Sequence, residues 1–300
     1  MKKITDKLDL VLDAGAQIAE GPFWDQDKQL LYWIDILKKT INIYDPAAAK
    51  NKIIQLDKMI GALIPTTEPG ELLTALEDGL YIIDLETLEK QFLVNPESNT
   101  EETRFNDGKC DPDGRFWVGT MDLEEDKPIG SLYCLNQNLT LEEKAKDIKI
   151  SNGLAWSLDN RTMYYIDSPT KKVVAFDYNL ETGEISNKRE IIKVAEGKGV
   201  PDGMTIDNQG KLWIAHFGGA QVSRWDPETG EKIDRVDLPV SNVTSCSFGG
   251  RNLDELYITT ASVGLSEQEK REQPLAGGIF KYQAGVKGLR ADRFKIKNKN

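Results

Sequence analysis

Residues 151–168 read SNGLAWSLDNRTMYYIDS, and related stretches occur at 19–36 (AEGPFWDQDKQLLYWIDI), 105–122 (FNDGKCDPDGRFWVGTMD) and 201–219 (PDGMTIDNQGKLWIAHFGG). Each copy has a polar residue before a glycine, a short apolar run, a turn rich in Asp and Asn, and an aromatic-rich run. The two runs favour strands, and Asn, Asp and Gly tolerate the backbone angles of tight turns. The repeated unit is therefore predicted to be a β-hairpin.

The polar residue before glycine recurs about every 40 to 50 residues, a period typical of β-propeller blades with four strands each. Its positions are Glu20, the region of Gly61, Asn106/Asp107, Asn152, Asp202 and Ser245/Cys246. This spacing predicts an all-β fold, a six-bladed β-propeller with four-stranded antiparallel blades.

We expect residues 1–300 to form a single domain. A strand at about 8–14 would complete the last blade, which removes exposed sheet edges, and residues 294–300 would form a frayed tail. The dipeptides Trp24-Asp25 and Trp225-Asp226 could suggest a WD40 protein, but they occupy different places in their units and lack the Gly-His partner.

Composition excludes several classes of function. The chain has 300 residues, 39% apolar and 29% charged, with a net charge of −11. This acidity argues against nucleic acid and anionic membranes as partners, because binding phosphates requires clustered Lys and Arg. The sequence shows neither a secretory signal nor a membrane span, and Cys110, Cys134 and Cys246 have no CxxC spacing. We therefore expect a cytoplasmic protein, a monomer or weak homo-oligomer, with buried thiols.

In a propeller the first strand of each blade lines the central axis, so the polar residues of different blades should converge at one end of the channel. Glu20 offers no advantage in a turn, and with Asn152 and Asp202 it makes an all-oxygen set of two carboxylates and one amide. Such a set suits a hard divalent cation and leaves coordination positions open for water and substrate. The alternative is that these are ordinary turn residues.

Four segments carry a resemblance to a known family: AEGPFWD, RFNDGKCDPDGRFWVGTMD, SNGLAWSLDNRTMYYID and PDGMTIDNQGKLWIA. They resemble the gluconolactonase/SMP-30 (regucalcin-like) group of sugar lactonases, over about residues 15–285. The resemblance implies one divalent metal held by Glu20, Asn152 and Asp202. It also implies substrate contacts from Arg104, Asn106 and Glu124, although a neighbouring acid of MDLEED could take the last role.

The activity expected is hydrolysis of a gluconolactone-like sugar lactone to its aldonic acid. Water would attack a metal-polarised carbonyl, with Asp202 as the acid/base. Ca²⁺ is the favoured cation, with Mg²⁺, Mn²⁺ and Zn²⁺ as alternatives. A Ser-His-Asp mechanism is disfavoured, because His216 is the sole histidine and there is no GxSxG elbow.

Three other functions stay open at this stage. One is a divalent-metal-binding regulatory protein of the regucalcin type, which would not need Arg104 and Asn106 beside the ion. Another is a binding module like the YWTD propellers. The third is a hydrolase of other lactones or esters, such as aryl esters, phosphotriesters or acyl-homoserine lactones. An apolar pocket rim would favour these last substrates, and a polar rim would favour a sugar.

Overall fold

The computed structural model describes residues 1–297, in which six antiparallel sheets form the four-stranded blades of a ring, and one of these sheets has a short fifth strand at its edge. The predicted six-bladed propeller is confirmed. The N-terminal strands are β1 (Lys2–Lys3) and β2 (Leu8–Leu12). Blade 1 comprises β3 (Ala19–Asp25), β4 (Leu30–Asp35), β5 (Thr40–Asp45) and β6 (Lys50–Gln55). Blade 2 comprises β7 (Ile60–Pro65), β8 (Glu71–Leu76), β9 (Gly79–Asp84) and β10 (Lys90–Val94). Blade 3 comprises β11 (Thr103–Cys110), β12 (Phe116–Asp122), β13 (Gly130–Leu135) and β14 (Leu141–Ile148).

The second half of the ring repeats this order. Blade 4 comprises β15 (Ser151–Trp156), β16 (Thr162–Asp167), β17 (Lys172–Asn179) and β18 (Glu184–Lys193). Blade 5 comprises β19 (Val200–Ile206), β20 (Leu212–Phe217), β21 (Gln221–Trp225) and β22 (Lys232–Asp237). Blade 6 is formed by β23 (Val243–Gly249), β24 (Glu255–Thr260), β25 (Ile279–Gln283) and β2. A 3₁₀ turn (Ser168–Thr170) and one helix, α1 (Glu267–Glu272), complete the described elements, and neither is long and apolar enough to cross a membrane.

The N-terminal strand joins the two ends of the ring, as the sequence predicts. Strand β2 pairs antiparallel with β25, with Leu8 opposite Tyr282 and Leu10 opposite Phe280, and β1 adds a short fifth strand outside it. The last blade therefore combines strands from both ends of the chain, so closure depends on contacts between residues far apart in sequence.

The Asp-rich turns and the aromatic runs of the repeat support each other in the folded hairpins. In blade 3, Asp111 Oδ1 accepts the backbone N–H groups of Asp113 and Arg115 at 3.0 and 2.9 Å, and Trp117 Nε1 donates to Asp111 Oδ2 at 3.0 Å. Blade 5 repeats the arrangement, with Trp213 Nε1 donating to Asp207 Oδ2 at 2.9 Å. The aromatic residues of the second strands are thus structural, and they pack between blades.

The C-terminal segment crosses several blades before the described chain ends. The backbone N–H of Asn208 donates to Lys287 O at 2.8 Å, and that of Lys297 donates to Gln137 O at 2.8 Å. Between them, Phe294 is fully buried. Residues 294–297, expected to belong to a frayed tail, are instead packed against the propeller because Phe294 fills an apolar site. The rest of that expected tail, residues 298–300, lies outside the described residues.

Candidate functional site at one end of the channel

The repeated glycine allows the innermost strands to approach each other closely around the axis. A Cβ atom added at Gly153 would lie 2.6 Å from the carbonyl oxygen of Asp202, and one added at Gly203 would lie 2.0 Å from Ser245 Oγ. At Gly61 it would lie 2.2 Å from the carbonyl oxygen of Phe105. The glycine therefore provides space between blades, and the residue before it is held at a narrow point of the channel.

Each innermost strand also has an irregular register beside the repeated polar residue. Register shifts interrupt the pairing in all six inner strands, at the pairs Glu20/Phe23, Ile60/Ala62, Phe105/Gly108, Asn152/Leu154, Pro201/Met204 and Val243/Ser245. A bulge bends the strand and changes the direction of its side chains. The bulge in each repeat can therefore turn the polar side chain away from the direction that regular strand pairing would give it.

The structure brings the three predicted cation ligands to one pocket. Glu20, Asn152 and Asp202 come from blades 1, 4 and 5, and all three line the same cavity although each is at most 7% exposed. Carboxylates buried in this way are costly unless they are neutral or paired with a cation. Their convergence therefore calls for positive charge or for protons.

Burial and mutual repulsion raise the pKa values of these acids. Burial, followed by the charge of Asp107, raises the pKa of Glu20 to about 8. Burial, followed by the charges of Glu20 and Asp107, raises the pKa of Asp202 well above its usual value, and hydrogen bonds from Asn152 and the Gly203 N–H oppose this rise. The folded chain thus favours the neutral acids unless a cation compensates their charge.

The donor set fits a hard divalent cation. Asn152 Nδ2 donates to Ser168 Oγ at 2.9 Å, which fixes the amide, while Asn152 Oδ1 is buried without a hydrogen-bond partner in the described part of the chain. A buried carbonyl oxygen in this state is costly, and a cation beside it would satisfy it. Within residues 1–297 no group of three or more His, Cys, Asp or Glu side chains is placed to hold a metal ion, so Asn152 is needed to complete the set.

Arg104 and Asn106 lie on β11 in the same pocket. Arg104 Nη1 donates to Asn106 Oδ1 at 2.8 Å, and Asn106 Nδ2 donates to the carbonyl oxygen of Ser151 at 2.8 Å. The amide is thus fixed from both sides, and it orients the guanidinium of an arginine that is only 8% exposed. Burial lowers the pKa of Arg104, and the charges of Glu125, Glu20 and Asp202 oppose that effect.

The loop after β12 places a different acid at the pocket from the one that the family resemblance implies. Leu123, Glu124 and Glu125 are all exposed, but only Leu123 and Glu125 line the pocket. The backbone N–H of Glu124 donates to Asp122 Oδ1 at 3.3 Å. A substrate contact from Glu124 stays a prediction, and Glu125, the neighbouring acid, has the more favourable position.

Two further charged residues line a different cavity of the propeller. Asp107 and Lys109 are on β11, and Lys109 Nζ donates to the carbonyl oxygen of Met204 at 2.5 Å. Burial lowers the pKa of Lys109, and the nearby charge of Asp107 opposes that effect. The sequence contains a signal for this lysine, since it follows Asp107 by two residues on an inner strand, but that signal is not specific to a functional role.

His216 does not line the pocket, and both of its ring nitrogens are within hydrogen-bond distance of other groups of the chain. Its Nδ1 lies 3.0 Å from the carbonyl oxygen of Lys198, and its Nε2 lies 2.5 Å from Ser223 Oγ. The carbonyl oxygen can only accept a hydrogen bond, so Nδ1 carries a proton. Burial lowers the pKa of His216 to about 4, so the ring is neutral at neutral pH. The three cysteines are buried and free, as expected.

Besides the polar residues, the lining of the pocket is mostly apolar. The apolar lining side chains come from all blades, and they are Ile18, Ile36, Leu37, Met59, Met121, Leu123, Ile150, Val200, Phe217 and Val263. The pocket therefore combines a set of polar side chains with a mostly apolar lining. Such a site can hold a cation and a polar reacting group while its apolar lining partly excludes water.

The protein is a six-bladed propeller in which one pocket gathers buried carboxylate and amide side chains from different blades. Residues 18–262 match the family described as SMP-30/Gluconolactonase/LRE-like region, and the chain belongs to this family. It is 40% identical to YvrE of Bacillus subtilis (strain 168), a protein named as a sugar lactone lactonase by inference. The match covers 94% of this chain and 97% of YvrE. It is 38% identical to regucalcin of Xenopus laevis, over 96% of this chain and 98% of that protein.

The fold agrees with a solved structure of a family relative. The calcium-binding protein regucalcin of Agrobacterium tumefaciens str. C58 superposes with a TM-score of 0.92 and is 26% identical, over 96% of this chain and 97% of that one. The family resemblance stated from the sequence motifs is therefore confirmed over nearly the whole chain.

Proposed function

We propose that the protein is a divalent-cation-dependent lactonase that hydrolyses a sugar lactone of the gluconolactone type to its hydroxy acid. The observation that supports this most strongly is the unpartnered, buried Asn152 Oδ1 between two buried acids and beside the fixed Arg104–Asn106 pair. Membership of the family and the sugar lactone lactonase name of YvrE support the same reaction class.

Glu20, Asn152 and Asp202 would hold the cation, and Ca²⁺ is the favoured ion because regucalcin of Agrobacterium tumefaciens is a calcium-binding protein. When bound, the cation would supply Lewis-acid polarisation of the lactone carbonyl and stabilise the negative charge that develops on its oxygen. Mg²⁺, Mn²⁺ and Zn²⁺ are the alternatives to test.

Asp202 is the general base of the proposed reaction. One of its carboxylate oxygens accepts a proton from the attacking water, whose oxygen forms a bond to the lactone carbonyl carbon. The same proton then passes to the ring oxygen as the ring C–O bond breaks, so the product is a hydroxy acid and Asp202 is regenerated. The Gly203 N–H and the Asn152 side chain hydrogen bond to the carboxylate and favour its ionised form.

Arg104 and Asn106 orient the substrate in this proposal. Their mutual hydrogen bond and the bond from Asn106 to Ser151 fix both groups before substrate arrives, so little conformational freedom is lost on binding. Glu125 can accept a hydrogen bond from a substrate hydroxyl at the pocket entrance, a role that the resemblance had suggested for Glu124.

The test is a pH-indicator hydrolysis screen of chelator-treated protein that crosses aldonolactones with each divalent cation. We expect turnover only with added cation. Asp202→Ala should lower kcat at least 10²-fold, as expected for a lost general base, and should weaken cation binding. Arg104→Ala should raise KM without weakening the cation affinity measured by calorimetry. Wild-type turnover by Asp202→Ala in the presence of chelator would contradict the proposal.

A second candidate function has support from the regucalcin relatives, namely cation binding without catalysis. It predicts saturable calcium binding with no cation-dependent lactone hydrolysis in the same screen. The fixed Arg104–Asn106 pair favours the lactonase, because a protein that only binds a cation has no need of a buried guanidinium facing the ligand acids.

A further inference from the structure

The two buried arginines of the described chain are held in different ways. Arg115 is 4% exposed, and its guanidinium pairs with Asp111 Oδ2 at 2.9 Å and with Asp113 Oδ2 at 3.1 Å. Arg104 is 8% exposed, and it forms no ion pair with any residue that the structure describes. A buried guanidinium without a counter-ion is costly, so Arg104 calls for an anion from outside the chain.

The hydrogen bonds of Arg104 leave one edge of its guanidinium free. Nη1 donates to the carbonyl oxygen of Phe105 at 3.1 Å and to Asn106 Oδ1 at 2.8 Å, whereas Nε and Nη2 donate to no described residue. Nε and Nη2 lie on the same edge of a guanidinium, so together they can hold both oxygens of one carboxylate. Arg104 therefore brings to the pocket an unoccupied carboxylate-binding edge that Asn106 already orients.

The buried charges of the pocket would also favour an anion once a cation is bound. Glu20 and Asp202 supply two negative charges, which a divalent cation would balance, and Arg104 then contributes one positive charge that no buried acid of the pocket offsets. Glu125 also lines the pocket, but it is exposed, and salt and water screen its charge. The loaded pocket would therefore attract a negatively charged sugar lactone more strongly than a neutral one.

We infer that the preferred substrate is the lactone of a sugar diacid, which carries a carboxylate at the end of the sugar remote from the reacting carbonyl. The carboxylate accepts hydrogen bonds from Nε and Nη2 of Arg104, while the lactone carbonyl faces Glu20, Asn152 and Asp202. Gluconolactone has a hydroxymethyl group in the place of this carboxylate, so it leaves the charge of Arg104 unpaired. This inference rests on the proposed lactonase function, and it specifies the substrate class of the same site.

The experiment compares two lactones that differ only at the last carbon of the sugar, at saturating cation and with the spontaneous rates subtracted. D-glucono-1,4-lactone ends in a hydroxymethyl group, and D-glucaro-1,4-lactone has the same ring and a carboxylate in that place. One hydrogen bond to a charged group corresponds to a factor of about ten or more in affinity. The kcat/KM for D-glucaro-1,4-lactone should therefore exceed that for D-glucono-1,4-lactone by about tenfold or more. This comparison uses the wild-type protein and does not depend on the folding of any variant.

Variants of the pocket test where the carboxylate binds. Arg104→Gln removes the charge of the guanidinium but keeps hydrogen-bonding groups, so it should lower the ratio of kcat/KM for D-glucaro-1,4-lactone to that for D-glucono-1,4-lactone about tenfold. Glu125→Gln removes a negative charge from the pocket and should raise this ratio. Arg251→Gln is the matched control, because Arg251 is exposed and does not line the pocket. It should leave the ratio at its wild-type value.

The outcomes separate this inference from the proposed function. Hydrolysis of both lactones without a preference for D-glucaro-1,4-lactone would overturn the inference and leave the lactonase function standing. Absence of hydrolysis of every lactone with every cation would overturn the proposed function and this inference with it. A ratio that Arg104→Gln leaves unchanged, that Glu125→Gln lowers, or that Arg251→Gln alters as much as Arg104→Gln does would also overturn the inference, because Arg104 would then not be the group that binds the carboxylate.

Discussion

Replacement of Gly203 by Ala adds a single methyl group at a close contact between blades 5 and 6. The added Cβ would lie 2.0 Å from Ser245 Oγ, 2.5 Å from Ser245 Cβ and 2.8 Å from Ser245 Cα. Gly203 does not have the left-handed backbone conformation that alanine avoids. The change is therefore purely steric, and β19 must move away from β23 to accommodate it.

Overpacking of this kind costs about 1–3 kcal/mol. Because Gly203 follows Asp202 directly and its N–H hydrogen bonds to that carboxylate, the displacement should also reach the candidate cation site. We expect a lower denaturation midpoint in urea and a weaker affinity for Ca²⁺ by calorimetry. Both measurements should be made on the same preparation, so that a folding defect and a site defect can be told apart.

A second substitution tests the steric origin of the effect. Ser245→Gly removes the two closest obstructing atoms, so the double variant should recover most of the stability that Gly203→Ala loses. Gly153→Ala offers no comparable rescue, because its Cβ would lie 2.6 Å from the backbone carbonyl oxygen of Asp202. A Gly203→Ala variant as stable as the wild type, or no recovery of stability on adding Ser245→Gly, would refute the steric explanation.

Three further predictions concern charge. The pKa of Glu20 is raised to about 8, so a cation must displace the proton of this side chain at neutral pH. The affinity for Ca²⁺ should therefore rise with pH up to about 8, and the loss of this one proton accounts for at most a tenfold rise per pH unit. Calorimetry from pH 6 to 8 should show a weaker pH dependence of the affinity for Glu20→Gln than for the wild type. The lowered pKa of His216, about 4, means that the unfolded state binds more protons between pH 6.5 and 4. Wild-type stability should therefore fall over this range by about 3 kcal/mol relative to His216→Gln, and equal urea midpoints would contradict this. Arg293 Nη2 lies 2.6 Å from Oδ1 of the fully buried Asp25. Arg293→Met should therefore lower the free energy of unfolding, measured by thermal unfolding, by about 1–3 kcal/mol. Arg290→Met removes a largely exposed ion pair with Asp27 and should change the free energy of unfolding little.

The fold was largely predictable because the propeller repeats its local chemistry. Asp111 and Asp207 fix their turns through the same hydrogen bonds, and Trp117 and Trp213 donate to them in the same way. A periodic pattern of turn and strand residues needs no tertiary information to be recognised. The C-terminal segment has no such pattern. The burial of Phe294 depends on a site formed by distant residues, so the sequence alone indicated a frayed end there.

The candidate site was predictable only in part, for a related reason. Glu20, Asn152 and Asp202 stand at equivalent positions of the repeat, so the symmetry of the ring alone predicts that they converge. The close approach of Gly153 to Asp202 and of Gly203 to Ser245 depends on packing between strands about 40 to 50 residues apart. The sequence shows that the glycines recur, but the reason for the recurrence is visible only when neighbouring inner strands are placed side by side.

The loop after β12 shows where symmetry stops being a guide. Glu124 and Glu125 are adjacent acids, and the family pattern selects the first, whereas the described loop directs Leu123 and Glu125 to the pocket. Glu125 has a positive φ of 58°, a conformation that reverses the chain locally and that residues other than glycine rarely adopt. The backbone N–H groups of Asp126 and Lys127 both donate to Asp122 Oδ2, at 3.0 and 2.8 Å, which stabilises this reversal. The Asp122 cap thus stabilises the loop conformation in which Glu125, and not Glu124, lines the pocket.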